Sequence, residues 1–203
     1  MPADEDHAHP GYDPGQDVVL DPRALRGLAH PIRLRLRSEL ANGGPATATQ
    51  LAARIGESSG TTSYHLRQLA AYGFVADDPS LGNDRERYWR AVHRGLWFDT
   101  PLENLDNRAV AGEYARALAR VYAERLVRFA DSFETMPEQL GREWTSVAGM
   151  SDWSLDLSIE EARTLGRQLQ ELCAPYRRGD KARQGTRRVV VQFQLLPTAD
   201  DTL

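Results

Sequence analysis

Residues 57–75 read ESSGTTSYHLRQLAAYGFV. The stretch opens on Ser, Gly and Thr, each a few tenths to about 1 kcal/mol poorer than Ala inside a helix, and then becomes a helix-like run closed by Gly73. Ala and Leu are plentiful elsewhere in the chain. Weak helix formers at the leading end therefore mean either a capped turn or first turns kept small because something must come close. Advancing about 100° per residue from Leu66 puts Thr62, Leu69 and Gly73 on its inward arc. Gly60, Thr61, Tyr64, Arg67 and Gln68 fall opposite, with Ser63 and His65 on the flanks. Small hydroxyls leading, then an aromatic ring, an amide and an arginine, suit a helix that enters the DNA major groove, about 12 Å wide, and brings donors to base edges. Ser58 is the expected N-cap, leaving a helix end suited to a phosphate.

The neighbouring stretches support that reading. Residues 51–56, LAARIG, follow a Thr47/Gln50 capping box and stop at Gly56, so helix, glycine turn and helix form a helix-turn-helix pattern. Upstream, Asp21-Pro22 starts a short helix running to about residue 29. His30-Pro31 opens IRLRLRSELANGG. Its alternation alone would read as a strand. The leading proline, the i,i+4 set Ile32, Leu36 and Leu40, and the closing Asn42-Gly43-Gly44 favour a helix. Leu34 lies on the opposite side, so this helix is expected to be central and buried on two faces. After Gly73, FVADD and RYWRAV form two strands around a polar, Arg-bearing loop. Four helices followed by a hairpin is the order of a winged helix domain, here residues 21–95.

HPIRLRL, then TQLAARIGESSGTTSYHLRQLAAYGFV, then RYWRAV resemble the ArsR-type winged helix family of bacterial transcription factors. The resemblance covers roughly residues 22–95, under half of the chain. It implies a homodimer that binds a palindromic double-stranded operator, usually as a repressor, with helix 59–72 in the major groove and the 77–87 wing on the flank. Metal-sensing members carry cysteines on the helix before the recognition helix, or carboxylates and histidines on the last helix. Residues 47–56 contain no Cys and residues 106–135 no His, so no metal and no cofactor is expected.

The expected DNA contacts are Ser59, Thr61, Ser63, Tyr64, His65, Arg67, Gln68, Arg85 and Arg87. Arg67 and Gln68 can reach a base edge in bidentate fashion. His65 reads either as a half-buried structural residue or as a phosphate donor. Arg85 and Arg87 read as wing contacts to phosphate or minor groove, or as solvated partners of Asp84 and Glu86. Arg33, Arg35 and Arg37 could meet phosphate or pair with Glu39 and other acids.

Outside this region the fold is expected to be mainly α with small β. Residues 1–20 are rich in Pro, Gly and acid and read as a disordered tail. Residues 96–203 read as a further domain. It begins with a long amphipathic linker or dimerisation helix over 106–133, striped by Tyr114, Leu118, Tyr122, Leu126, Phe129 and Phe133. A β-α-β segment follows, with strands at 153–157 and 187–197. The aromatic stripe reads as core and dimer packing. The sharper alternative is a small-molecule effector pocket lined by Tyr114, Tyr122, Phe129, Trp144 and Trp153. Cys173 reads as a buried thiol.

The formal charge of −4 is unevenly spread. Residues 1–20 carry five acids and no base, whereas residues 21–95 carry eleven Arg against seven acids. No apolar run is long enough for a membrane span, no secretory pattern opens the chain, and one cysteine excludes an internal disulfide, so a cytoplasmic setting is expected. No P-loop, G-x-S-x-G or H-E-x-x-H motif is present, so the chain reads as a non-enzyme. The expected function is sequence-specific DNA-binding transcriptional regulation. The alternative is a winged helix protein–protein adaptor without DNA binding.

Overall fold

The computed structural model describes residues 12–81, 86–98, 104–177 and 185–197. By internal contacts the chain divides into Asp13–Met150 and a second unit of Met1–Tyr12 with Ser151–Leu203.

The first unit begins with strand β1 (Asp17–Leu20), helix α1 (Pro22–Leu28) and helix α2 (Pro31–Gly43). A two-residue strand β2 (Ala46–Thr47) leads into α3 (Ala48–Ile55) and α4 (Ser59–Ala71). Strands β3 (Val75–Asp77), β4 (Tyr88–Ala91) and β5 (Gly95–Phe98) precede the long helix α5 (Leu105–Asp131). Antiparallel strands in the order β2-β4-β3 form the wing sheet, with Val75 opposite Ala91 and Ala46 opposite Trp89. Helices α1–α4 and this sheet make a winged helix-turn-helix, and the chain is mainly helical.

Local chemistry starts each helix as its sequence suggests. Asp21 caps α1 by accepting from the Ala24 N–H, with Pro22 in the first turn. His30 caps α2: its Nδ1 accepts from the Ile32 N–H at 3.2 Å. Helix α2 lies centrally, burying Leu36 and Leu40 on one side and Leu34 on the other. It packs against α3, α4, α5 and β4. The contiguous core runs from Leu20, Leu25 and Leu28 through Leu51, Leu66 and Leu69 to Val110, Tyr114 and Val121.

Three features depart from the sequence reading. Residues 12–20 are not the end of a disordered tail: β1 pairs in parallel with β5, Leu20 is fully buried, and the Trp97 Nε1–H donates to the buried Asp17 carboxylate at 3.0 Å. The β-branched run Val18-Val19 carries that strand, and its partner lies nearly eighty residues away, beyond the reach of local pattern. Residues 1–11 lie outside the described residues. The buried stripe of α5 is Val110, Tyr114, Ala117 and Val121, packed on α1 and α2, so this helix shares the core of the winged helix. Beyond residue 125 the helix leaves Leu126, Val127 and Phe133, just past its end, exposed. Met136-Pro137 does not merely stop a helix: it opens the short α6 (Met136–Leu140), followed by α7 (Arg142–Thr145).

In the second unit α8 (Ile159–Cys173) forms behind a Ser158/Glu161 capping box and runs into a 3-10 turn, Ala174–Tyr176. Its flanks, 153–157 and 187–197, carry no strand pairing among the described residues. Cys173 is half-exposed rather than buried. None of the described helices is long and apolar enough to cross a membrane.

Candidate nucleic-acid interface

Helix α3 ends on Gly56, whose φ of 70° is the left-handed conformation that favours glycine. Glu57 and Ser58 complete a three-residue turn. The Ser58 hydroxyl oxygen accepts from the Thr61 N–H at 3.1 Å and its own O–H donates to Thr61 Oγ1 at 2.8 Å. Weak helix formers therefore build a tight polar cap, and small side chains at its tip leave the backbone accessible.

Helix α4 divides as the wheel predicts. Thr62, Leu66 and Leu69 are fully buried. Ser59, Gly60, Tyr64 and Arg67 are exposed, and Thr61, Ser63 and Gln68 are half-exposed. Thr61, Tyr64, Arg67 and Gln68 thus share the side opposite Leu66, Ser63 lies on its flank, and Ser59 is exposed at the helix tip. Tyr64 is 53% exposed, and its ring meets His65 edge-on at 5.1 Å, which orients it. No carboxylate lies on α4.

His65 belongs inside. It is 8% exposed and stacks on His30 with ring centroids 4.4 Å apart. Burial lowers the pKa of both rings, and Arg33 beside them lowers it further, so both are neutral near pH 7. A residue so placed packs α4 against α2. The angular wheel put His65 on a flank, and only the position of α2 decides which way a flank residue turns.

Two arginines of α2 meet partners within the fold. Arg37 Nη2 donates to the carbonyls of His93 and Arg94 at 2.6 and 2.7 Å, tying α2 to the β4–β5 connection. Arg35 lies between Glu57 (3.3 Å) and Glu124 (3.6 Å), joining α2 to the helix-turn-helix turn and to α5. Glu39, the acid nearest in sequence, is not their partner in either contact. Arg33 is partly buried, and that burial lowers its proton affinity. On the wing, Arg87 pairs with Asp77 at 2.9 Å and lies over the Trp89 ring at 5.2 Å, and Asp84, one of its expected partners, lies outside the described residues. Arg85 lies outside the described residues.

Within the first unit, Tyr114 and Phe129, two of the aromatic residues considered for an effector pocket, lie far apart. Tyr114 is buried and stacked with Phe98 at 6.0 Å, and burial pushes its pKa up to about 12. Phe129 packs edge-on against Phe133. Fifteen positions of α5 separate Tyr114 from Phe129, about 22 Å along a helix and longer than a small ligand. Tyr122 lies half-buried beneath Arg125, and Trp144 is half-buried in α7. Trp153 belongs to the second unit and is 77% exposed.

Residues 28–77 match the family model of a helix-turn-helix domain. The match spans α2, α3, α4 and β3, the elements that build the exposed face of α4. The helix-turn-helix is a DNA-binding fold, which supports DNA as a partner of this region. No curated protein matches the chain. Sequence reasoning missed the His30–His65 stack beneath the helix-turn-helix. The signal was present in His30-Pro31 and His65, but nothing in one sequence pairs residues thirty-five apart.

Proposed function

We propose that the chain is a sequence-specific transcriptional regulator that binds a palindromic operator as a homodimer. Helix α4 lies in the major groove of each half-site and the 77–87 wing rests on the flank. The observation that carries this reading is the accessible side of α4, where Thr61, Tyr64, Arg67 and Gln68 lie together without a carboxylate, with Ser63 on its flank and Ser59 exposed at the helix tip. Arg67 and Gln68 supply bidentate base contacts, while Ser59, Thr61 and the capped helix end hold the backbone. His65 supports the helix from within. Repression follows from the ArsR-type resemblance, an operator-bound dimer standing where polymerase must pass. We assign no effector. Two-fold symmetry requires half-sites about one helical turn, roughly 34 Å, apart.

The test compares wild type with a Tyr64→Ala/Arg67→Ala variant on DNA from the protein's own upstream region, across a salt series. Both side chains are exposed, so the variant should melt like wild type. Specific affinity should fall by about tenfold to several hundredfold, the range for losing one bidentate base contact and a stacking ring. Equal binding by both proteins would remove α4 as the reading helix. No salt-dependent binding by either would favour the protein–protein adaptor.

A further inference from the structure

Among its described residues the second unit has no buried core. None of the described residues from 151 to 197 is buried. Its two flanking segments nevertheless have strand patterning. Trp153, Leu155 and Leu157 alternate with Ser154 and Asp156. Val189, Val191, Phe193 and Leu195 alternate through Val190, Gln192 and Gln194. Such period-two rows belong to strands with one covered face. Yet among the described residues, 151–157 and 187–197 make no hydrogen bond. Leu195 Cδ1 lies 3.0 Å from where a Cβ on Gly166 would be, so the second segment crosses α8 closely at that glycine. The second segment thus crosses the capped helix, the first leads into it, and among the described residues neither segment has its edge paired. Open apolar edges are templates for strand addition.

The segments carry opposite charge. Residues 152–157 bear Asp152 and Asp156 and no base, while residues 187–197 bear Arg187 and Arg188 and no acid. One chain therefore displays both halves of a complementary pair that it does not join to each other. Two copies related by a two-fold axis satisfy both halves twice, because an isologous contact repeats each pairing.

We propose that the second unit is a two-chain sheet: segment 153–157 of each copy pairs with segment 187–197 of the other, closing the rows of apolar residues over both copies of α8. The proposal rests on the homodimer in the reading above and is independent of any DNA contact. It places the dimer contact in strand exchange rather than on α5 alone.

Sedimentation of the full chain tests it with two charge-reversed variants, Asp152→Arg/Asp156→Arg and Arg187→Asp/Arg188→Asp. Wild type should be a dimer. Each variant alone juxtaposes like charges at both junctions and should dissociate at least about tenfold more readily, with helical circular dichroism unchanged. An equimolar mixture should restore the dimer, because each junction between unlike variants again joins opposite charges. A dimer indifferent to the reversals, or a mixture no tighter than its components, overturns the strand-exchanged sheet and leaves the homodimer standing on another surface. A wild-type monomer overturns both.

Discussion

Truncating Arg37 asks whether the basic face of α2 serves the fold or the DNA. Its Nη2 donates to two carbonyls in the β4–β5 connection, at 2.6 and 2.7 Å, in a half-buried position. A hydrogen bond from a charged donor contributes about 1.5–3 kcal/mol net. Both bonds share one nitrogen and are not additive, and partial solvation screens them. Arg37→Ala should therefore cost about 2–4 kcal/mol, a large part of the roughly 5–15 kcal/mol that holds a typical domain. Arg37→Lys should recover about half, because a point ammonium can reach one carbonyl but lacks the planar fork. Urea unfolding followed by circular dichroism reads the loss, and DNA binding over a salt series reads the alternative. On the structural account the midpoint drops while the salt slope of the remaining folded protein stays that of wild type. Were Arg37 a phosphate ligand, stability would stay within about 0.5 kcal/mol and the slope would fall by about one. That pair of results would refute the reasoning.

Gly27 is buried in α1, and a Cβ there would lie 2.6 Å from Tyr72 Cγ and 2.9 Å from Phe74 Cε2. Gly27→Ala should lower the melting temperature despite its better helix propensity, because overpacking of about 1–3 kcal/mol outweighs a gain of about 1 kcal/mol. A melt at or above that of wild type would show that Tyr72 yields freely. The neutral His30–His65 stack predicts the pH response: both groups have folded pKa values below the ordinary 6.5, so the unfolded chain binds more protons. The stability they contribute is present above about pH 6.5 and is lost as pH falls through the folded values, and a protonated His30 also loses the Nδ1 acceptor that caps α2. Urea midpoints at about pH 7.5 and 5.5 should fall with acidity, and His30→Asn, which keeps a capping oxygen, should flatten the trend. A midpoint that rises on acidification would contradict the sign.

What was legible in the sequence follows from range. The caps at Asp21, Thr47, Ser58 and Ser158 are local, set by hydroxyl or carboxylate oxygens within three residues of their donors, and all four form. The inward set Thr62, Leu66 and Leu69 was also readable, because the helical period alone decides it. The illegible parts are pairings between distant segments. Strand β1 needs Gly95–Phe98 as its partner, and Val18-Val19 beside acidic, Pro-rich sequence gave no hint of one. The stripe of α5 was widened correctly to Val110, Ala117 and Val121. Which half of the stripe would be covered depended on the lengths of α1 and α2, which a helical wheel does not contain. The rows at 153–157 and 187–197 show the converse: strand patterning is legible there, but a strand is completed by a neighbour.

The charge of residues 21–95 needs the same distinction between count and use. Eleven arginines against seven acids read as a basic surface. In the fold, Arg35 and Arg87 meet carboxylates, Arg37 meets backbone carbonyls, and Arg33 is partly buried. Of the other described arginines that are exposed, Arg23 and Arg26 lie on α1, Arg90 on β4, and Arg54 and Arg67 on the helix-turn-helix pair itself. Counterion release scales with the phosphates neutralised, not with the arginines in a segment. Binding through α4 must therefore draw heavily on the Ser and Thr hydroxyls, the Gln68 amide and the N–H groups of the capped helix end, which release few counterions. The salt dependence of the complex should accordingly be shallower than the sequence charge suggests, with Arg67 carrying a visible share of it. This is why the double variant at Tyr64 and Arg67 should lose both affinity and slope, whereas Arg37→Ala should lose neither from its folded fraction.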